Sequence, residues 1–187
     1  MLPAVPNTIG KIDQLGFVVT DLYAAIDHWT KRCGVGPFFV HEHVAYETFT
    51  YRGEETPIDL SLAFSFIGDL QIELIYQHND VPSMYTTLKQ SAPNGLVHMA
   101  RYDDDLEAAS AGLIANGAKL IQYSRDIAGV ETIYLDTDFH NGGLIEFIKV
   151  KDIHKQRGAI IKSQANSWDG QHPIRSFDHD DPLKVVW

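Results

Sequence analysis

The sequence predicts an α+β protein made of two tandem β-α-β-β-β modules, and three observations carry that reading. The run Ile12-Asp13-Gln14-Leu15-Gly16-Phe17, followed by Asp21-Leu22-Tyr23-Ala24-Ala25, is echoed by Leu96-Val97-His98-Met99-Ala100-Arg101, followed by Asp105-Leu106-Glu107-Ala108-Ala109. The offset is constant: Gln14 to His98 and Asp21 to Asp105 are both 84 residues apart (98 − 14 and 105 − 21). A second echo sets Gln71-Ile72-Glu73-Leu74-Ile75 against Leu144-Ile145-Glu146-Phe147-Ile148. Thirdly, strand-like and helix-like segments succeed one another in the same order between the echoes.

Each element has its own warrant. Met1 to Gly10 is a short lead-in containing proline. Ile12 to Val19, rich in β-branched and aromatic residues, predicts a strand. Asp21 is placed to cap a helix whose Leu22, Ala25, Ile26 and Trp29 share one face, and Gly34 with Gly36-Pro37 stops it. Phe38 to Thr50 predicts one strand. Asp59 to Ile67 and Leu70 to Gln77 predict a hairpin about Gly68-Asp69. Pro82 to Gln90 predicts a linking helix, and Pro93-Asn94-Gly95 a turn. The order then restarts, with a strand over 96–102, a helix over 105–116 closed by Gly117, strands over 119–123 and 131–136, and a last strand over 144–150 after Asn141-Gly142-Gly143. The expected organisation is a lead-in (1–10), module one (11–78), linking helix (82–91), module two (95–150) and an extension (151–187). The extension, with Trp168 and Trp187, follows no repeat and is expected to pack, on this chain or on a neighbouring subunit.

Composition narrows the partners. Hydrophobic residues make up 44% and charged residues 21% of 187, as in an ordinary water-soluble globular chain. A formal charge of −10 argues against nucleic acid or an anionic membrane, which both need a basic footprint. No window approaches the roughly 20 apolar residues of a membrane span, and no secretory signal is visible, so a cytoplasmic location is expected. Cys33 is the single cysteine; it cannot form an internal disulfide, and near the end of the first helix it is expected to be buried and structural.

The duplication also points to a site. Gln14 and Glu73 belong to one copy, His98 and Glu146 to the other. A strand period of two sets each glutamate opposite its apolar neighbours Ile72, Leu74, Ile145 and Phe147, as expected of a cupped sheet lined by polar groups. One imidazole and three oxygen donors suit a borderline-to-hard divalent ion. Gln14 to Glu73 spans 59 residues and His98 to Glu146 spans 48 (73 − 14 and 146 − 98). The extra length of module one is best placed in Tyr51 to Pro57, where Arg52-Gly53-Glu54-Glu55 forms either a lid or a solvated hairpin tip. His41-Glu42-His43 is a rival: the two histidines would share a strand face, and an exposed face is the simpler reading. Asp103-Asp104-Asp105 reads as a turn plus helix cap. Asp136, Asp138 and His140 read as solvated hairpin residues.

On these residues, with Gly34-Val35-Gly36-Pro37-Phe38 and the Gly-Gly-Leu-Ile-Glu-Phe run, the chain over about residues 11–150 resembles the vicinal oxygen chelate superfamily, the glyoxalase and methylmalonyl-CoA epimerase group. The resemblance implies a half-closed, cup-shaped mixed β-sheet with flanking helices, holding one divalent metal ion: zinc, nickel, cobalt or manganese. It implies Gln14, Glu73, His98 and Glu146 as metal ligands. It further implies a lyase, isomerase or epimerase that removes a proton next to a carbonyl of a small substrate, stabilises the resulting enolate or enediolate on the metal, and uses Glu146 or Glu73 as base. Family members often pair, so a homodimer is possible. Two other readings share the fold. One is a non-catalytic, drug-sequestering binder. The other is an extradiol dioxygenase, whose second histidine is not matched at Glu73.

Overall fold

The computed structural model describes residues 9–138 and 143–187. Module one runs β1 (Gln14–Val18), α1 (Leu22–Cys33), β2 (Phe38–His41), β3 (Tyr46–Tyr51), β4 (Glu54–Glu55), β5 (Leu60–Ile67) and β6 (Leu70–Gln77). After α2 (Met84–Ser91), module two runs β7 (Gly95–Tyr102), α3 (Leu106–Ala115), β8 (Lys119–Asp126), β9 (Glu131–Asp136) and β10 (Leu144–Lys149). The tail adds α4 (Asp152–Asn166), β11 (Ile174–Phe177) and β12 (Val185–Val186).

Helix boundaries follow local chemistry. The Asp21 carboxylate accepts from the Ala24 N–H and Asp105 from the Ala108 N–H, so each module's helix opens on the same aspartate cap. Gly34 closes α1 at φ 67°, a left-handed conformation that glycine adopts without Cβ strain. Ser83 and Thr86 exchange reciprocal bonds that start α2.

The twelve strands of the described residues join one open mixed sheet, ordered β12-β11-β2-β5-β6-β1-β7-β10-β9-β8-β3-β4. Its centre is pseudo-symmetric. β1 and β7 are antiparallel, with Gly16 opposite His98, while β6 runs parallel to β1 and β10 parallel to β7. The four strands carrying the repeated residues are therefore the four central ones. On the outer face, α1 covers Ile72, Leu74 and Ala63 through Leu22 and Ile26, and α3 covers Ile145 and Phe147 through Leu113. The concave face holds a third core, where α2 contributes Met84 and Tyr85, β3 contributes Phe49, and the sheet contributes Val18, Leu60, Ile75, Val97, Tyr134 and Leu144. Each fully buried side chain of this kind stabilises the fold by about 1.5–3 kcal/mol.

Several sequence expectations need correcting. Phe38 to Thr50 is not one strand: β2 ends at His41, His43 takes φ 49°, and β3 begins at Tyr46. The chain there crosses from module one to module two, because β3 pairs with β8 rather than with β2. His41 and His43 thus share no strand face. The added length is the β3–β4 hairpin, whose turn residues Arg52 and Gly53 have φ 53° and 86° and whose tip is exposed, the solvated alternative of the two. Cys33 is exposed, not buried, at the last position of α1.

The tail packs on its own chain. β11 adds to β2 in parallel, and α4 lies against β5. Arg157 and Gln164 of α4 touch Phe177 and Arg175 of β11, and Phe177 stacks on Phe39, so α4 covers the concave side of this arm. Both sheet ends are two-residue strands, which leaves little free edge for further pairing. Asp105 caps α3 as expected, while Asp103 pairs with Arg101 and Asp104 with Lys155. Asp138 is exposed and pairs with Lys119. His140, Asn141-Gly142 and most of the Met1–Gly10 lead-in lie outside the described residues.

Candidate metal centre

The pleat aims the four repeated side chains at one place. Gln14 and Gly16 on β1, and Glu73 on β6, share the concave face with Val18 and Ile75, while the intervening Ile72 and Leu74 go to the α1 side. On β7 the register shifts: Gly16 faces His98 but Phe17 faces Leu96, leaving Val97 as an extra residue. This bulge puts Val97 and His98 both toward the concave core, the re-aiming that bulges commonly perform. On β10, Glu146 sits opposite Tyr134 of β9, again on the concave side.

The result is tight. His98 Nε2 lies 3.2 Å from Gln14 Oε1, 3.3 Å from Glu73 Oε2 and 3.0 Å from Glu146 Oε2. All four residues are buried, His98 completely. A single N–H cannot serve three oxygens. Glu73 Oε2 and Glu146 Oε2 approach Nε2 without hydrogen-bond geometry and have no other partner. Two buried carboxylate oxygens left this way cost several kcal/mol in aggregate. A divalent cation resolves that cost, since it accepts one nitrogen and three oxygens at once. The donor chemistry, the shared focus and the orphaned oxygens thus fit such an ion.

Surrounding groups hold the arrangement. Gln14 Nε2 donates to Gln71 Oε1 at 2.8 Å, and Tyr102 Oη donates to the same oxygen at 2.6 Å, which fixes the Gln14 amide with its oxygen toward His98. The Tyr134 ring meets His98 edge-on at 5.3 Å, Tyr85 Oη donates to Tyr134 Oη at 3.3 Å, and Tyr134 stands opposite Glu146 across the β9–β10 pair. Burial opposes charge on His98, but Glu146 and Glu73 outweigh it and hold the imidazole up to about 9. Burial, with Glu146 adding to it against the pull of His98, raises Glu73 above the usual carboxylate range. Burial is the main cause that pushes Tyr46, Tyr85, Tyr102 and Tyr134 upward, with nearby acidic groups adding to it, so all four hydroxyls stay protonated. Sequence reasoning named the four central residues but missed Gln71 and these tyrosines. The signal available for Gln71 and Tyr134 was strand parity, since Gln71 lies two residues before Glu73 and Tyr134 faces Glu146 across β9–β10.

A two-module cup with a buried polar focus defines a class of fold, and comparison identifies it. Residues 13–134 match the Glyoxalase/Bleomycin resistance protein/Dioxygenase superfamily. The chain belongs to that superfamily. No curated protein sequence matches it. Among solved structures it resembles methylmalonyl-CoA epimerase from Mycobacterium tuberculosis, at 20% identity and TM-score 0.57 over 81% of this chain and 95% of that one. It also resembles a single-residue variant of Streptomyces coelicolor methylmalonyl-CoA epimerase in complex with 2-nitronate-propionyl-CoA, at 18% identity and TM-score 0.56 over 77% and 96%. A hypothetical protein from Bacillus halodurans C-125 gives 20% identity and TM-score 0.54 over 76% and 95%. At these identities the likeness establishes the fold, a family fold that includes enzymes. Among the described residues, no helix is long and apolar enough to cross a membrane.

Proposed function

We propose that the protein is a divalent-metal-dependent lyase, isomerase or epimerase that moves a proton next to a carbonyl of a small substrate. Gln14, Glu73, His98 and Glu146 hold the ion, and Glu73 and Glu146 are the groups that move the proton. The observation that carries this reading is the convergence of three side-chain oxygens within 3.3 Å of one buried imidazole nitrogen, two of them otherwise unpartnered. When bound, zinc, nickel, cobalt or manganese supplies Lewis acidity to a carbonyl oxygen. The chain supplies the rest. Gln71 and Tyr102 orient the Gln14 amide, and the Tyr134 ring packs edge-on against His98. Glu73, buried beside His98 and on the face that carries Glu146, is placed to take a proton from a substrate held at this focus. Phe49, Tyr85 and Met84, packed in the concave core, exclude water from around these groups.

The epimerase neighbours are described with acyl-coenzyme A ligands, which makes an acyl thioester with an acidic α-proton the first substrate to try. Elemental analysis of untagged wild type, His98→Ala and Glu146→Ala comes first. Near-stoichiometric metal, lost from the buried centre in both variants, is expected. Exchange of the substrate α-proton in heavy water, followed by NMR, then tests the chemistry, and Glu73→Gln and Glu146→Gln are expected to lower it by roughly 10²-fold or more. A buried centre that takes no metal after reconstitution would overturn the proposal and leave a ligand-binding cup.

A further inference from the structure

His43 finds its partners far along the chain. It sits in the link between β2 and β3, Asp59 immediately precedes β5, and His78 immediately follows β6. His43 Nδ1 is 2.7 Å from Asp59 Oδ1, and the His43 and His78 rings stack at 4.3 Å and 25°. Ser61 Oγ accepts from the His43 backbone N–H at 3.1 Å and lies 2.8 Å from His78 Nε2, while the edge of Tyr76 contacts the His78 ring at 4.7 Å. One nitrogen from each histidine and one Asp59 oxygen fall within 4.8 Å of one another.

We propose that His43, Asp59 and His78 form a second divalent-cation site, with zinc the best-suited ion, separate from the buried centre. Two imidazoles and one carboxylate form a three-ligand set that leaves a position for water. Zinc bonds of about 2.0–2.2 Å place tetrahedral ligands about 3.3 Å apart, so binding draws together by side-chain rotation three groups already within 4.8 Å of one another. His43 and Asp59 side chains are 62% and 39% exposed, which leaves a path for a hydrated ion and freedom to rotate. The backbone is set for it as well. His43 is held at φ 49°, an uncommon conformation outside glycine, by the bond to Ser61.

The place matters for the rest of the molecule. The His43 link is the segment that crosses from module one to module two. It is tied on one side by Val44 N–H to Leu60 O (2.8 Å) and on the other by Ile127 N–H to Ala45 O (3.0 Å). It leads directly into β3, which carries Phe49 into the concave core. An ion on His43, Asp59 and His78 staples this crossover to the ends of β5 and β6.

The test is a titration of chelator-stripped, untagged protein with Zn²⁺ alone, by calorimetry with elemental analysis after gel filtration. Wild type, His43→Ala/His78→Ala and His98→Ala are compared, with circular dichroism to confirm folding. Wild type is expected to bind two equivalents, and the double variant one. His98→Ala is expected to retain the surface equivalent and to gain roughly 5–10 °C in Tm at a hundredfold excess of Zn²⁺ over Kd. Should His98→Ala not fold, wild type against the double variant carries the test, because both altered histidines are exposed. Equal stoichiometry in wild type and double variant overturns the inference, as does wild type binding no zinc. A wild type that binds one equivalent, lost only in the double variant, supports the surface site and sinks the buried one.

Discussion

Gly16 lies directly opposite His98 across the β1–β7 pair, and a Cβ at position 16 would stand 1.8 Å from the imidazole Cε1. The ring of His98 therefore lies against the bare backbone of β1, between Gln14 and Glu73. Gly16→Ala must push His98 off the focus of the three oxygens or force the strands apart. Overpacking of this kind costs about 1–3 kcal/mol. We expect Tm to fall by roughly 2–10 °C and metal affinity to fall by more than tenfold, measured by calorimetry on the same preparation. Unchanged affinity would mean that His98 is not a ligand.

Tyr134 acts through two neighbours. Its hydroxyl accepts from Tyr85 and its side chain stands opposite Glu146 across the β9–β10 pair, while its ring meets His98 edge-on. Tyr134→Phe keeps the ring and deletes the hydroxyl, so a merely structural residue would tolerate it. Loss of a partner that orients a ligand typically weakens metal binding by about 10–100-fold. The expected result is a folded variant with metal affinity reduced to that extent. A wild-type metal affinity would show that Glu146 is oriented without it.

The two modules, the aspartate caps of α1 and α3, and the convergence of Gln14, Glu73, His98 and Glu146 were legible because duplication and strand parity are local patterns. The β3–β4 hairpin was not. Its alternation marks a strand, but nothing local says that its partner is β8, more than 70 residues on (122 − 51). The tail helix α4 escaped for a related reason: it belongs to no repeat, and its amphipathic character is weak apart from a buried Ile161. Cys33 is exposed although thiols usually prefer burial, because that general preference says nothing of a position at the last turn of a helix. The meeting of His43 with His78 depends on that same crossover and was equally invisible.

Metal-free protein should lose stability as pH rises from neutral into the alkaline range. His98 is held up to about 9, above its ordinary value of 6.5, and Glu73 is also raised, so the folded state binds protons more tightly than the unfolded chain. The His98 contribution is complete below about 6.5 and lost as pH passes through about 9. His154, which burial lowers, works in the opposite sense but only below about 6.5. Calorimetric Tm of chelator-treated wild type is expected to decline between about pH 6.5 and 9, and His98→Gln to flatten that slope. A Tm that rises over this window in wild type would contradict the assignment.

Two adjacent residues of α4 separate packing from surface charge. Ile161 is 5% exposed on the helix that lies against β5, whereas Lys162 reaches Asp69 at 2.5 Å with side chains 40% and 81% exposed. Truncating a buried isoleucine removes its transfer energy and leaves a cavity, costing about 2–5 kcal/mol. An exposed ion pair is screened by water and contributes about 1 kcal/mol or less. Ile161→Ala is therefore expected to lower Tm by roughly 5–15 °C, and Lys162→Ala by no more than about 4 °C. If the tail helix were only loosely laid on the sheet, both would be small. A large loss in Ile161→Ala alone would show that α4 folds with the two modules as one cooperative unit.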